Sequence, residues 1–150
     1  MPLLTRRWSL TSIIVNRLQS AFGMTADLAG SLSDGAISQS LKEPSNTIWD
    51  QLWCVVGARE SYARAIEAGA WIGFSCSLSS DDKGSRTRVI EALASSRRAV
   101  ITAVNSSDDD PARLILDLLL HETQHHGQLI RYVYGLGLEF PQSWKERWNL

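Results

Sequence analysis

Apolar positions along this chain recur mainly at steps of three and four residues. Leu4, Trp8, Thr11, Val15, Leu18 and Phe22 mark one face of a first amphipathic helix. Residues 28–44 lose that period and end at Pro44, which reads as a frayed helix end followed by a loop. Ser45 to Thr47 supply N-cap candidates, and Asp50 stands three residues after Thr47, as in a capping box. Ile48, Leu52, Val55, Tyr62 and Ile66 then mark a second helix over 45–68, closed by Gly69. Residues 69–84 have no helical period. Their front half is apolar and their back half is turn-forming, which predicts a long connection crossing the domain. A third helix over 85–105 turns Val89, Leu93, Val100 and Val104 inward. Asp110 suits the N-cap of a fourth helix and Pro111 its first position. Gly135 and Gly137 stop that helix near residue 135. Trp144 and Trp148, four apart, predict a last turn packed back on the body. No segment reads strongly as a strand.

This pattern predicts an all-α fold, a four-helix bundle. The long connection between helices 2 and 3 lets the third helix run parallel to the second, which makes the topology up-down-down-up. The 150 residues suit one domain, 1–150, with a sizeable core. Hydrophobic content of 44% with 21% charged residues is the balance of a globular chain. A net charge of −1 supplies no basic field for a nucleic acid, and the pairs Arg6-Arg7 and Arg97-Arg98 are too short to change that. No apolar run approaches the roughly 18–20 residues that span a bilayer, so no membrane association is expected. The N-terminus lacks an apolar stretch followed by a small-residue cleavage site, so the expected location is cytoplasmic. There the two cysteines, Cys54 and Cys76, are expected to be reduced, small and packed.

The fourth helix carries the candidate chemistry in "LLLHETQHHGQL", residues 118–129. Leu114, Leu118, His121, His125, Gln128, Tyr132 and Leu136 follow one helical face. Ile115, Leu116, Leu119 and Leu120 beside that seam predict a helix packed almost all round. Two histidines four apart on one inward stripe converge on a single point and are costly to bury without a partner, which favours a metal ion. His126, one residue round, is expected half-exposed at a helix margin. A third ligand must come from elsewhere. Cys54 lies on a stripe of small or polar residues of the second helix: Thr47, Gln51, Cys54, Ala58, Ser61 and Ala65. It stands about 14 Å along that helix, and His125 about 15 Å from the end of the fourth, at 1.5 Å per residue. If the two helices run antiparallel, they meet at one level. Taken alone, Cys54 would read as a small buried hydrophobe.

His121-Glu122-Thr123-Gln124-His125 also spells H-E-x-x-H, the zinc-peptidase signature, with Glu122 as the water-activating base. The extended form fails. Gly127 is one position early, and Arg131 stands where a third histidine belongs. No strand is expected that would hold a peptide substrate. A di-iron bundle needs two E-x-x-H motifs and two further carboxylates, and only Glu122-x-x-His125 is present.

"HETQHHGQL" resembles the last-helix motif of the DinB/YfiT-like superfamily, and "TIWDQLWCVVGARESYARAI" resembles that family's second helix. The resemblance runs from about residue 5 to 148. It implies an up-down-down-up four-helix bundle, often a homodimer, with a divalent metal, commonly zinc or nickel. One ligand comes from helix 2 and two from helix 4. Carried over by position, these are Cys54, His121 and His125. Several relatives are thiol-dependent transferases or isomerases that use a low-molecular-weight thiol. Others have no known activity, so a non-catalytic bundle that binds a small ligand or a protein is the alternative. Cys54 departs from the family pattern, which places a histidine there. A thiolate is a sound zinc ligand and favours zinc over harder ions, whereas a side chain too short to reach would weaken the site.

Overall fold

The computed structural model describes residues 9–150. Its helices are α1 (Leu10–Ser31), α2 (Asp34–Ile37), α3 (Ile48–Ala68), α4 (Arg86–Ser106), α5 (Ala112–Gly135) and α6 (Gln142–Trp148). A turn of 3-10 helix covers Ser80–Asp82, and no strand occurs among the described residues. Leu4 and Trp8, expected on the first helical face, lie outside them.

Local chemistry sets the helix ends. Ser9 caps α1 by accepting from Ser12 N–H, and Ser85 caps α4 by accepting from Arg88 N–H. The expected capping box forms at α3: Thr47 Oγ1 accepts from Asp50 N–H at 3.1 Å, and Asp50 Oδ2 accepts from Thr47 N–H at 2.8 Å. Gly69, at φ 72°, closes α3. At α5 the cap is shifted by one residue. Pro111 takes the N-cap place, while Asp110 Oδ1 still accepts from Ala112 N–H at 3.0 Å. The other end of α5 is a Schellman turn: Leu138 N–H donates to Val133 O and Gly137 N–H to Tyr134 O. The turn requires the left-handed backbone that Gly137 takes at φ 65°.

Two expectations are corrected. Residues 28–44 do hold a helix end followed by a loop, but the helix end is not frayed and a short helix interrupts the loop. The apolar period continues through Leu28, Ala29 and Leu32, all buried, so α1 extends to Ser31 and α2 buries Ala36 and Ile37. The fourth helix is not packed all round either: Leu116 and Leu120 are 41% and 59% exposed. In a ring of helices each helix has two neighbours, so its outer side stays bare.

That ring is visible in the packing. α1 lies against α4 and α5, and α3 against the same two. Hydrogen bonds fix the register. Between α3 and α5 they join Gln51 to His125 and Arg59 to Glu122. Between α1 and α5, Thr25 meets Glu122, and Thr11 reaches Asp110 just before α5. Between α1 and α4, Gln19 meets Arg97, and Gly30 O accepts from Arg86. The 69–84 connection runs back along α3, where Ser75 bonds Ser61, Ser77 bonds Glu60 and Leu78 O accepts from Trp53 Nε1–H.

The core has two apolar halves. One gathers Ile14, Leu18, Phe22, Ala58, Ile66, Val100, Ile115 and Leu118. The other gathers Leu28, Leu52, Val56, Leu93, Leu129 and Trp144. Each large apolar side chain so buried is worth about 1.5–3 kcal/mol. At the boundary every long helix contributes a buried polar residue: Thr25 from α1, Arg59 from α3, Ser96 from α4, Glu122 and His126 from α5. No helix among the described residues is long and apolar enough to cross a membrane.

Candidate metal centre

The side of α5 that faces α3 carries His121 and His125. Both are half-buried, with ring centroids 4.6 Å apart. Cys54, also half-buried, comes from α3, and its Sγ lies 3.6 Å from His121 Nε2. One ligand atom from each of Cys54, His121 and His125 lies within 4.8 Å of the others, so this group can hold a metal ion. Zn–S of about 2.3 Å and Zn–N of about 2.1 Å, set at a tetrahedral angle, would separate sulfur from nitrogen by about 3.6 Å. The observed spacing fits that value.

The tautomer of His125 fits as well. Gln51 Oε1 accepts from His125 Nδ1–H at 2.6 Å, which leaves Nε2 as the ring's lone pair. Gln51 is held in turn, since its Nε2–H donates to Asn46 Oδ1 at 2.9 Å, and Tyr132 O–H reaches the same Oδ1 at 2.6 Å. Sequence reading placed Gln51 on the right stripe and missed this role. His121 Nδ1 is buried without a partner in the structure.

Burial, and then the neighbouring His121 and His126, push the His125 imidazole down to about 4. Burial also lowers His121. Both rings are therefore neutral near pH 7, the form that binds metals. Burial raises the Cys54 thiol, so without a cation it stays protonated. A bound divalent ion reverses that preference outright.

The inward seam expected on this helix is rotated by one residue. Ile115, Leu118, Glu122, His126, Leu129, Tyr132 and Val133 are buried, while His121 and His125 are half-buried beside Cys54 and Gln51 of α3, and Gln128 is exposed. His126, expected half-exposed, is 1% exposed and packs its ring 4.8 Å from Trp144. The reason is Glu122. A buried carboxylate needs a counter-ion, and Arg59 supplies it, with Nε donating to Oε2 at 3.1 Å and Nη2 to Oε1 at 2.5 Å. Arg59 also stacks on Phe22 and donates to Leu93 O, touching all four long helices. Thr25 O–H donates to Glu122 Oε1 at 2.5 Å.

Burial alone would raise the Glu122 carboxyl. The Arg59 guanidinium, its hydrogen bonds and the Thr25 hydroxyl outweigh that and hold it below its ordinary value. This carboxylate is fully buried and committed to Arg59 and Thr25. It is not placed to activate a water for peptide hydrolysis. Arg59 had a sequence signal: it occupies the inward position between Val55 and Tyr62 in the α3 stripe.

Cys76 only packs, as expected. Its Sγ donates to Trp53 O at 3.5 Å, and burial first pushes its thiol up to about 11. No family model matches this chain, and no curated protein matches it either.

Proposed function

We propose that this chain is a DinB-like metalloprotein that binds one zinc ion through Cys54, His121 and His125. The observation that carries the reading is the convergence of these three side chains from α3 and α5, with the Cys54 Sγ–His121 Nε2 distance suited to tetrahedral zinc. The sulfur donor favours zinc over nickel. The register of the cross-helix hydrogen bonds supports the up-down-down-up topology of that family.

Three protein ligands leave one position for a substrate, the pattern of catalytic rather than structural zinc. A bound zinc would supply a Lewis acid that lowers the pKa of a thiol or a water. A low-molecular-weight thiol is therefore the co-substrate class we assign, in a transferase or isomerase reaction within the cytoplasm. Gln51 keeps the His125 ring oriented, and the Arg59–Glu122 pair holds α5 in register. A homodimer is the assembly we assign by the same resemblance.

The second reading is a non-catalytic, metal-free bundle that binds a small ligand or a protein partner. It is favoured by the raised Cys54 thiol, which at 3.6 Å from His121 Nε2 is also placed to donate an S–H hydrogen bond. Zinc titration with elemental analysis separates the two. The metalloprotein reading expects one equivalent retained by the wild type and loss of retention in Cys54→Ser and His125→Ala. A wild type that retains no zinc or nickel after supplementation would sink it.

A further inference from the structure

The 69–84 connection carries an apolar segment that its own packing does not bury. Trp71, Ile72 and Phe74 are 50%, 61% and 45% exposed. The backbone that follows them is nevertheless pinned to α3. Ser75 N–H donates to Ser61 Oγ at 3.0 Å, Arg64 Nη2–H donates to Ser75 Oγ at 2.6 Å, and Cys76 Sγ–H donates to Trp53 O at 3.5 Å.

Phe74 is held in a fixed seat. Its ring lies so close to Gly57 that a Cβ added there would stand 2.9 Å from Phe74 Cε2, and 3.0 Å from the Cβ of Cys76. Trp53 flanks the ring with centroids 5.4 Å apart. Only a glycine lets the phenyl ring lie this close to α3. Gly57 follows Cys54 by three residues, and side chains at that spacing on a helix are neighbours, about 5–6 Å between Cβ atoms. The edge of the Phe74 ring is therefore within about 8 Å of the Cys54 Cβ. Segment 74–76 thus stands on one side of Cys54, and His121 and His125 of α5 stand on the other. The outer face of the Phe74 ring contributes nothing to the core, but an apolar group laid on it would leave water.

We propose that Phe74, seated on Gly57, is a specificity-determining residue of the candidate metal centre and selects a substrate whose metal-binding group carries an aromatic or similarly flat apolar body. This rests on the zinc-binding reading of Cys54, His121 and His125. Three protein ligands leave one position for a substrate atom, and Phe74 is the exposed aromatic ring one helical turn from Cys54.

The test begins with zinc retention. Calorimetric titration of the zinc-loaded chain then compares benzohydroxamate with acetohydroxamate, which present the same chelating group on a phenyl or a methyl body. Benzohydroxamate is expected to bind about tenfold tighter, as burial of a ring face implies. Phe74→Ala should bring the two probes to within about twofold, and Gly57→Ala should do the same by pushing the ring off its seat. Zinc affinity and helix content should be unchanged in both variants. Equal affinity for the two probes in the wild type, or a preference that survives either substitution, would overturn the proposal while leaving zinc binding intact. A wild type that retains no zinc would overturn the metal reading and this proposal with it.

Discussion

His125 offers one nitrogen to a ligand because Gln51 occupies the other. Gln51→Leu removes that acceptor without touching a ligand. Zinc affinity should fall about 10–100-fold with helix content unchanged, as a competition titration against a chromophoric chelator would read. An unchanged affinity would show that ring orientation is set elsewhere. Proton linkage at the same ring gives a second expectation. In the fold His125 is pushed down to about 4 from an ordinary 6.5, and His126 likewise, in each case first by burial. A depressed histidine contributes its stability fully above 6.5 and loses it as pH falls through 4. Glu122, also held low, loses its contribution in the same direction. The urea midpoint of the metal-free chain should therefore decline steadily from pH 7 towards pH 4. A flat profile over that window would contradict the burial of these rings.

Each long helix presents an apolar stripe broken by at least one buried polar residue near the Arg59–Glu122 pair. This makes the pair a register device between elements as well as an ion pair. Arg59→Met alone strands a buried carboxylate and should cost about 3–5 kcal/mol, and Glu122→Leu alone a similar amount. The double substitution should recover most of that loss, because both desolvated charges leave together. Urea denaturation of the four proteins gives the coupling directly, and additive losses would refute it. Periodicity located α3 and α4 to within a few residues, and both the Thr47 cap and the Gly137 stop were legible. The rotation of α5 was not. Leucines flank His121 and His125 as well as Glu122, so hydrophobicity alone admits either seam. The choice fell to Arg59, sixty-three positions away in sequence.

At the scale of the molecule, the candidate centre joins α3 to α5, so a bound ion should staple two helices of the ring. With zinc at about a hundred times its dissociation constant, stabilisation should reach about 2.7 kcal/mol, raising Tm by roughly 5–10 °C. Chelator should reverse the shift, and Cys54→Ser should abolish it. Equal melting with zinc and with chelator would speak for the metal-free bundle. The sequence by itself determined the four long helices and most of their ends, and it put His121, His125 and Cys54 forward as candidates to meet. Helical period, cap chemistry and rise per residue are local properties that one chain displays openly. Only the tertiary structure decided which face of α5 is the core, that Glu122 is a buried counter-ion rather than a base, and that His126 is buried against Trp144. Those outcomes depend on partners brought in by other helices, because a buried charge takes its role from the group that neutralises it.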